Sequence, residues 1–294
     1  MTNLSGQSCL VLINPISGRG LGAELAETIV RAFKRAGVVA EAVMLSGPGS
    51  GLELIRERAG GHAAVVAVGG DGTINEIVGA VYDSGVVLPL GIIPLGLSNC
   101  LARHWGQPLD IAAAVRVIVA GKKIKADLAW ADGRVVLAFL GAGLDAEVVR
   151  EVSRRRRGPV HNRDYFRAAV SAFRRKEYPG LEVQVDGQAV GGLYYQVILS
   201  QISNYARFFH LPRQTGFWVY LFRGSGPFGL IRTIYRTRLT GNLGRAADLA
   251  LPVRDSLVIN HRHGRGFYQY DGEAGRPLPV TCLIKTGAFE VLAP

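Results

Sequence analysis

The chain has 294 residues, of which 48% are hydrophobic and 19% charged, and this composition excludes a disordered protein. The length allows one large domain or two, and we expect two. The net charge is +11. The three cysteines show neither disulfide nor metal-ligand spacing, and we find no signal-peptide pattern and no unbroken membrane span. We therefore expect a cytoplasmic protein.

Strand and helix patterns alternate over roughly the first 125 residues. Strand patterns occur in SCLVLI, which is typical of a buried strand, and in VVAEAVML, HAAVVAV and VVLPLGII. Helical spacing follows in GAELAETIVRAFKRAG, GSGLELIRERAG, TINEIVGAVYDSG and, after CLARHWG, in DIAAAVRVIVAG. This alternation predicts an α/β domain with a parallel sheet over residues 1–125.

Short strand patterns dominate after about Ile124. They occur in RVVLAFLGAG, LEVQVDG, LYYQVILSQIS, GFWVYLFRG, DSLVIN, GFYQYDG and FEVLAP. Two helical stretches, DYFRAAVSAFRRK and FGLIRTIYRTRL, interrupt them. We therefore predict a mainly antiparallel β-sandwich over residues 126–294.

Three glycine-containing turns follow the first, third and fourth predicted strands: Asn14–Gly20, Gly69–Glu76 and Ile93–Asn99. Backbone N–H groups and the helix dipole at such turns favour an anion, and open α/β sheets bind ligands at this edge. None of the turns is a Walker A loop or a G-x-G-x-x-G motif, and any one of them alone is more readily explained as a simple strand-to-helix corner. Three turns at one edge favour a phosphate-bearing ligand, whose charge a cation held by Asp71 would balance.

The motifs VLINPISGRG, VAVGGDGTINEIVGAV, LGIIPLGLSN, LAFLGAGLDAEVV and YDGE resemble, in this order, those of the diacylglycerol kinase-like lipid kinases. That family includes bacterial lipid kinases, sphingosine kinases and ceramide kinases. The resemblance runs from about Leu10 to the C-terminus and implies an ATP-dependent kinase acting on a lipid hydroxyl. The acceptor would be diacylglycerol, a sphingoid base or ceramide. The implied fold is a phosphofructokinase-like α/β nucleotide-binding domain followed by a β-sandwich lipid-substrate domain.

The same resemblance implies a set of site residues, with ATP and Mg²⁺ as ligands. The implied nucleotide-binding residues are Asn14, Ser17, Gly18, Gly69, Gly70, Gly72, Thr73, Asn75, Gly96, Ser98 and Asn99. Asp71 and Glu273 would be the catalytic carboxylates and, with Asp127, the metal ligands. Asp145 would lie near the lipid head group. Without the resemblance, Glu273 reads as a hairpin tip, and Asp127 and Asp145 read as turn or cap carboxylates.

Two departures from the usual bacterial diacylglycerol kinase pattern remove acids associated with magnesium. Leu97 and Cys100 stand where threonine and aspartate are usual, and Gln214 and Thr215 stand where a D-D-G motif is usual. Sphingosine kinases resemble this chain in lacking acids at both places. Two alternatives therefore stay open. One is a catalytically degenerate relative that binds a nucleotide or lipid. The other is an NAD kinase, whose family also has a G-G-D-G turn but which INPISG and the DGE motif argue against.

Basic residues are concentrated in two segments. Arg150–Lys176 contains ten basic and two acidic residues, a net charge of +8, and Arg223–Arg245 contains five arginines and no acid. We interpret these segments either as solvated surface or as docking sites for an anionic membrane surface, since no nucleic-acid-binding signature is present. FGLIRTIYRTRL is either an interfacial helix or a core-packed helix with its arginines in water. We expect peripheral membrane association and leave a homodimer open.

Overall fold

The computed structural model describes residues 3–18, 20–155, 167–168, 180–205, 209–224, 226–263 and 266–294. The chain forms two compact units, the first made of Met1–Leu128 and Thr286–Pro294, the second of Ala129–Lys285. The chain thus returns to the first unit at its C-terminal end, which the predicted division at residue 125 did not include. Most of the +8 segment and of the predicted helix DYFRAAVSAFRRK lies outside the described residues.

The first unit contains a parallel sheet flanked by helices. Its strands are β1 (Ser8–Ile13), β2 (Val39–Met44), β3 (Ala64–Gly69), β4 (Leu90–Pro94) and the start of β5 (Lys123–Ala131). Its helices are α1 (Gly22–Arg35), α2 (Ser50–Arg58), α3 (Asp71–Ser84), α4 (Cys100–His104) and α5 (Ile111–Ala120). The parallel strands lie in the order β2-β1-β3-β4.

Burial explains why the sequence patterns of these strands are continuous rather than alternating. Every residue of β3 and β4 is buried, and in β1 only Ser8 is partly exposed, whereas the edge strand β2 has no buried residue. Parallel strands covered on both faces have this character. Ile29 and Phe33 of α1 are also buried and join Val11 and Val66 in the core of the unit.

The second unit is mainly antiparallel. Its strands are β6 (Arg134–Val136), β7 (Phe139–Gly143), β8 (Leu181–Val185), β9 (Gln188–Ser200), β10 (Asn204–Tyr205), β11 (Phe209–His210), β12 (Phe217–Arg223), β13 (Leu249–Val253), β14 (Ser256–His261), β15 (Phe267–Tyr270), β16 (Glu273–Pro277) and β17 (Val280–Leu292). Its helices are α6 (Leu144–Arg155), α7 (Gly226–Thr240) and α8 (Leu243–Ala246).

The long strand β9 organises the second unit. It pairs with β8 through its first half and with β7 and β12 through its second half. Alternate residues of these strands, among them Leu140, Val183, Val197 and Leu221, enter one core. The predicted fold class, an α/β domain followed by mainly antiparallel β structure, is confirmed.

Two local predictions differ from the structure. The predicted strand RVVLAFLGAG is divided into β6 and β7, because the N–H groups of Leu137, Ala138 and Phe139 bond to the carboxylate of Asp271. Helix α6 was not predicted. Within the part of the chain that the structure describes, no helix combines the length and hydropathy needed to cross a bilayer.

Candidate active site

The three glycine-containing turns lie at adjacent carboxyl ends of the parallel sheet. Ile13 at the end of β1 is paired with Val68, and Gly69 at the end of β3 is paired with Pro94 of β4. The chain leaves β1 for β2 on one side and leaves β3 for β4 on the other. Open α/β sheets bind ligands at such a switch point, so the fold places the three turns where a ligand is expected.

Asn14 joins the turn after β1 to the start of α3. Its Nδ2 donates a hydrogen bond to Oγ1 of Thr73 at 2.9 Å, while its Oδ1 accepts one from the Ile16 N–H at 3.2 Å. The backbone N–H of Ser17 donates to the Asn14 carbonyl at 3.1 Å. The buried Thr73 hydroxyl therefore helps to shape the site.

Glycine allows the turns after β3 and β4 to touch through their backbones. A Cβ on Gly96 would lie 2.6 Å from Cα of Gly70, and a Cβ on Gly69 would lie 2.5 Å from Oγ1 of Thr73. The Leu95 N–H also donates to the Gly69 carbonyl at 2.8 Å. A side chain at Gly96 would separate the two turns, whereas a side chain at Gly69 would collide with Thr73 of its own turn.

Gly18 brings the first turn close to the third. Its φ of +64° is in the left-handed region, and a Cβ there would lie 3.4 Å from the Leu95 carbonyl oxygen. Each of the three turns thus approaches both of the others.

Asn99 closes the third turn with its own side chain. Its Oδ1 accepts a hydrogen bond from the Gly96 N–H, and its Nδ2 donates to the Gly96 carbonyl, both at 2.8 Å. The residue is buried and has a left-handed φ of +49°. Asparagine tolerates this conformation better than most residues do. Ser98, next to it, is half-buried.

The N-terminus of α3 has no side-chain cap. Its N-cap residue is Gly70, and the first helical bond runs from the Ile74 N–H to the Gly70 carbonyl at 3.0 Å. The preceding N–H groups are thus positioned to bind an anion. Asn75 is half-buried one turn further along this helix.

Gly72, in this first turn of α3, has no apparent structural reason to be glycine. It is exposed, its φ is not in the left-handed region, and an added Cβ would meet no atom within 4 Å. Glycine here costs helix stability relative to alanine. The absence of a side chain at Gly72 leaves space for a ligand beside the N–H groups at the start of α3.

Asp71 connects the second turn to the third. Its Oδ1 accepts a hydrogen bond from the Leu101 N–H, at the start of α4, at 2.9 Å. The side chain is half-buried, and its Oδ2 forms no hydrogen bond with the residues that the structure describes. Asp71 thus has a structural contact and a second oxygen available for chemistry.

Asp127 lies on β5, and its Oδ1 accepts a hydrogen bond from the Gly287 N–H at 2.8 Å. Gly287 belongs to the part of β17 that returns to the first unit. Across the described ranges, no group of three or more His, Cys, Asp or Glu side chains is arranged to hold a metal ion.

Glu273 begins β16 in the second unit, and its side chain is exposed. It is paired with Tyr270 across a two-residue turn, whose residues Asp271 and Gly272 have φ angles of +47° and +87°. Asp-Gly favours such hairpin turns. Glu273 therefore lies at a hairpin turn, as its sequence context alone predicts.

Asp271 is a structural residue that sequence reasoning missed. Its two carboxylate oxygens accept hydrogen bonds from the N–H groups of Leu137, Ala138 and Phe139, each at 2.8 Å. The Asp-Gly pair indicates the turn. No sequence spacing indicates a partner more than 130 residues away.

Asp145 lies in the first turn of α6 and is surrounded by polar groups of the second unit. Its Oδ2 accepts hydrogen bonds from the Tyr205 hydroxyl and from Nε2 of Gln269, the latter at 3.0 Å. Its backbone N–H donates to Oε1 of Gln196 at 3.0 Å. A Cβ on Gly141 would lie 1.8 Å from Oδ2 of Asp145, so glycine at this position makes room for the carboxyl group.

Burial raises the pKa of the Asp145 carboxyl, although the hydrogen bonds that it accepts oppose this effect. Burial, together with the neighbouring Asp145, also raises the pKa of the Tyr205 hydroxyl well above its ordinary value. Asp145 and Tyr205 thus form a tightly coupled pair in which tyrosine is the proton donor.

Comparison with known proteins adds independent information. Residues 8–131 match the family model described as the diacylglycerol kinase catalytic domain. The chain is 25% identical to a diacylglycerol kinase of Staphylococcus carnosus over 97% of this chain and 94% of the relative. It is 26% identical to one from Staphylococcus aureus over 97% and 91%.

The fold is also similar to solved structures. A crystal structure described as a diacylglycerol kinase from Bacillus anthracis aligns with a TM-score of 0.74 and 20% identity. The alignment covers 98% of this chain and 97% of that one. At this identity the similarity concerns the fold.

Proposed function

We propose that this chain, whose residues 8–131 match the diacylglycerol kinase catalytic domain, transfers the γ-phosphate of ATP to a hydroxyl of a membrane lipid. The observation that carries this proposal is the mutual approach of three turns at the carboxyl edge of one parallel sheet. Asn14 contacts Thr73, Gly70 approaches Gly96, and Gly18 approaches Leu95. The acceptor is proposed as diacylglycerol, a sphingoid base or ceramide.

In this proposal the three turns bind the triphosphate mainly through backbone groups. The N–H groups of the first turn of α3 supply donors without adding positive charge, and Gly72 leaves room for the phosphates. The remaining nucleotide-binding residues proposed are Asn14, Ser17, Gly18, Gly69, Gly70, Thr73, Asn75, Gly96, Ser98 and Asn99. Among them, Asn14, Thr73 and Asn99 act by fixing the turns through the contacts described above.

The residues of the first unit fit a magnesium ion that arrives with the nucleotide. Mg²⁺ in nucleotide sites is usually held by one or two carboxylates together with phosphates and water, so a cluster of three protein ligands is not required. Asp71 presents an Oδ2 that has no hydrogen-bond partner among the described residues, and Asp127 is a further carboxylate of the same unit. Mg²⁺ would offset charge on the phosphates, and Glu273 is the third proposed ligand.

The phosphoryl group moves from the ADP oxygen to the lipid oxygen, and the proton of the lipid hydroxyl must pass to a base. We assign this role to a carboxylate, either Asp71 or Glu273, because an ionised carboxylate accepts a proton at neutral pH. Asp145 is proposed as a head-group ligand. Its partly exposed carboxyl group, oriented by the Tyr205 hydroxyl and by Gln269, is the group that would accept a hydrogen bond from a polar lipid head group.

A lipid acceptor also requires the protein to work at a bilayer. We propose peripheral association with an anionic membrane surface, in keeping with the net charge of +11 and with five arginines and no acid in Arg223–Arg245.

The test is a transfer assay with γ-labelled ATP and a panel of diacylglycerol, sphingoid base and ceramide in mixed micelles, with Mg²⁺ or with EDTA. We expect label in one lipid class, loss of transfer in EDTA, and loss of transfer in Asp71→Asn. Label in NAD and in no lipid contradicts the proposal, as does the absence of transfer under every metal tried.

A further inference from the structure

Helix α7 presents large apolar side chains to solvent. Phe228, Ile231, Ile234, Tyr235 and Leu239 are 82%, 54%, 52%, 63% and 68% exposed. Their spacing of three and four residues places them along one side of the helix. Surface helices usually turn such a stripe towards the core, so the orientation of α7 is the reverse of the usual one. These five side chains are therefore not packed in a core, in contrast to the core-packed alternative for this helix.

The inner side of α7 is small and polar. Gly229 and Thr233 are buried, and the Thr233 Oγ1 accepts a hydrogen bond from the Tyr195 hydroxyl at 2.7 Å. A Cβ on Gly229 would lie 3.3 Å from the Tyr195 ring, so the helix lies close against β9. The residues that face inward could not be exchanged for the apolar stripe without separating the helix from the strand.

Ion pairs on one flank fix this orientation. Arg232 and Arg236 contact the two oxygens of Asp248 at 2.7 and 3.0 Å. Arg232 also donates to the carbonyl of Arg223 at 2.6 Å. The apolar stripe is thus held outward by specific contacts on the opposite side and on the flank.

Positive charge accompanies the stripe. Arg238 is exposed on α7, Arg245 is exposed just beyond it, and no acidic residue occurs from 223 to 247. An apolar stripe edged by arginines matches an anionic bilayer, where the apolar side chains enter the acyl boundary and the guanidinium groups meet phosphates. A symmetric pairing of two copies of this face would instead bring arginines together without an acid in the segment to neutralise them.

We propose that α7 is the membrane-docking element, with Phe228, Ile231, Ile234, Tyr235 and Leu239 inserted at the surface of an anionic bilayer. The inference deepens the proposed function, since it supplies the surface through which a kinase could reach a lipid. Its test needs neither ATP nor phosphoryl transfer, so the docking inference and the proposed function can fail separately.

The experiment is co-sedimentation of the full chain with vesicles of phosphatidylcholine alone or with phosphatidylglycerol added, at low and high ionic strength. Ile231→Gln/Leu239→Gln removes two apolar groups and keeps good helix formers. Arg238→Gln removes one charge. Val87→Gln is the matched control, because Val87 is a 94% exposed apolar residue of the first unit.

We expect the wild type and Val87→Gln to bind the anionic vesicles alike. The double variant should bind at least about tenfold more weakly, from the lost apolar insertion. Arg238→Gln should bind about fivefold more weakly and show a smaller salt effect, from one lost surface charge. Transfer to a short-chain, water-soluble diacylglycerol should be equal in the wild type and the double variant.

Binding of the double variant at the wild-type level overturns the inference, and so does a wild type that does not bind anionic vesicles. A wild-type dimer that the double variant dissociates, with vesicle binding unaltered, assigns the stripe to a second copy and also overturns it. If vesicle binding follows the expected pattern while no lipid is phosphorylated, the docking helix stands and the proposed function does not.

Discussion

Oδ1 of Asp71 lies 2.9 Å from the backbone nitrogen of Leu101, so the carboxylate in the glycine-rich turn after β3 also accepts the N–H at the start of α4. This hydrogen bond explains part of why an acid occupies so tight a turn. It also means that an alanine substitution would remove structure and chemistry together, and that asparagine separates them.

Asp71→Asn should keep the fold and lose transfer. The asparagine oxygen can still accept from the Leu101 N–H, so the melting temperature should stay close to that of the wild type. The negative charge is lost, and we expect transfer to fall by about 100-fold or more. Asp71→Ala should lose transfer and also about 1 kcal/mol of unfolding free energy. Asp83→Asn, an exposed aspartate on the same helix, is the control. Full activity in Asp71→Asn would restrict Asp71 to its structural role.

Gly72→Ala should change stability and activity in opposite directions. An added Cβ meets no protein atom within 4 Å and improves the helix propensity of α3, so unfolding free energy should rise by up to about 1 kcal/mol. The methyl group narrows the space beside the free N–H groups, and we expect KM for ATP to rise about tenfold, the equivalent of one charge-assisted hydrogen bond. Thermal melts and steady-state kinetics check the two effects. An unchanged KM would show that no ligand approaches this residue.

Gly96→Ala should lower both the stability and the activity of the protein. Its Cβ would lie 2.6 Å from Cα of Gly70, a contact with backbone that neither turn can relieve without moving. We expect a loss of about 1–3 kcal/mol of unfolding free energy, as for overpacked cores. Chemical denaturation of Gly96→Ala beside Gly72→Ala makes the comparison direct. Equal stability of the two variants would mean that the turns after β3 and β4 do not meet as described.

The prediction of secondary structure from sequence succeeded where burial is uniform. The continuous apolar runs of β1, β3 and β4 reflect strands covered on both faces. Such strands can be recognised from the sequence without knowing which strands they pair with. Helix α6 was missed because it begins directly after the glycine-containing strand β7, with no break in the pattern between Gly143 and Leu144. The contact of Asp71 with Leu101 spans 30 residues and depends on how two turns meet, which no spacing encodes. The arrangement of the three turns could be predicted, but not the bonds that join them.

Glu273→Gln tests the carboxylate of the second unit. The side chain is exposed, so stability should be unchanged, and transfer should fall by about 100-fold if this glutamate acts as base or metal ligand. Glu53→Gln, an exposed glutamate of α2, is the matched control for loss of one charge.

Asp271→Ala, in the same hairpin as Glu273, should instead lose about 2–3 kcal/mol of unfolding free energy, because three backbone N–H groups lose their acceptor. A stable Asp271→Ala variant would contradict the assigned contacts.

Asp145 should make stability depend on pH. Because burial raises its pKa, the folded protein keeps this proton at pH values where the unfolded chain, with an ordinary pKa of 3.8, has released it. The contribution of Asp145 to stability is therefore complete below pH 3.8 and declines as the pH rises through the raised value. Asp145→Asn does not titrate, so the stability advantage of the wild type over this variant should shrink as the pH rises from acid towards neutral. Denaturation curves of both proteins over that range measure it. A constant difference would show that the Asp145 pKa is not raised.

The last strand, β17, starts in the second unit and ends in the first, where Val291 is paired with Leu90 and the Ala293 N–H donates to the Lys122 carbonyl at 2.9 Å. During synthesis, the first 128 residues therefore leave the ribosome before the segment that completes their fold exists. The segment that pairs with β4 and bonds to Lys122 is thus translated only after the whole of the second unit.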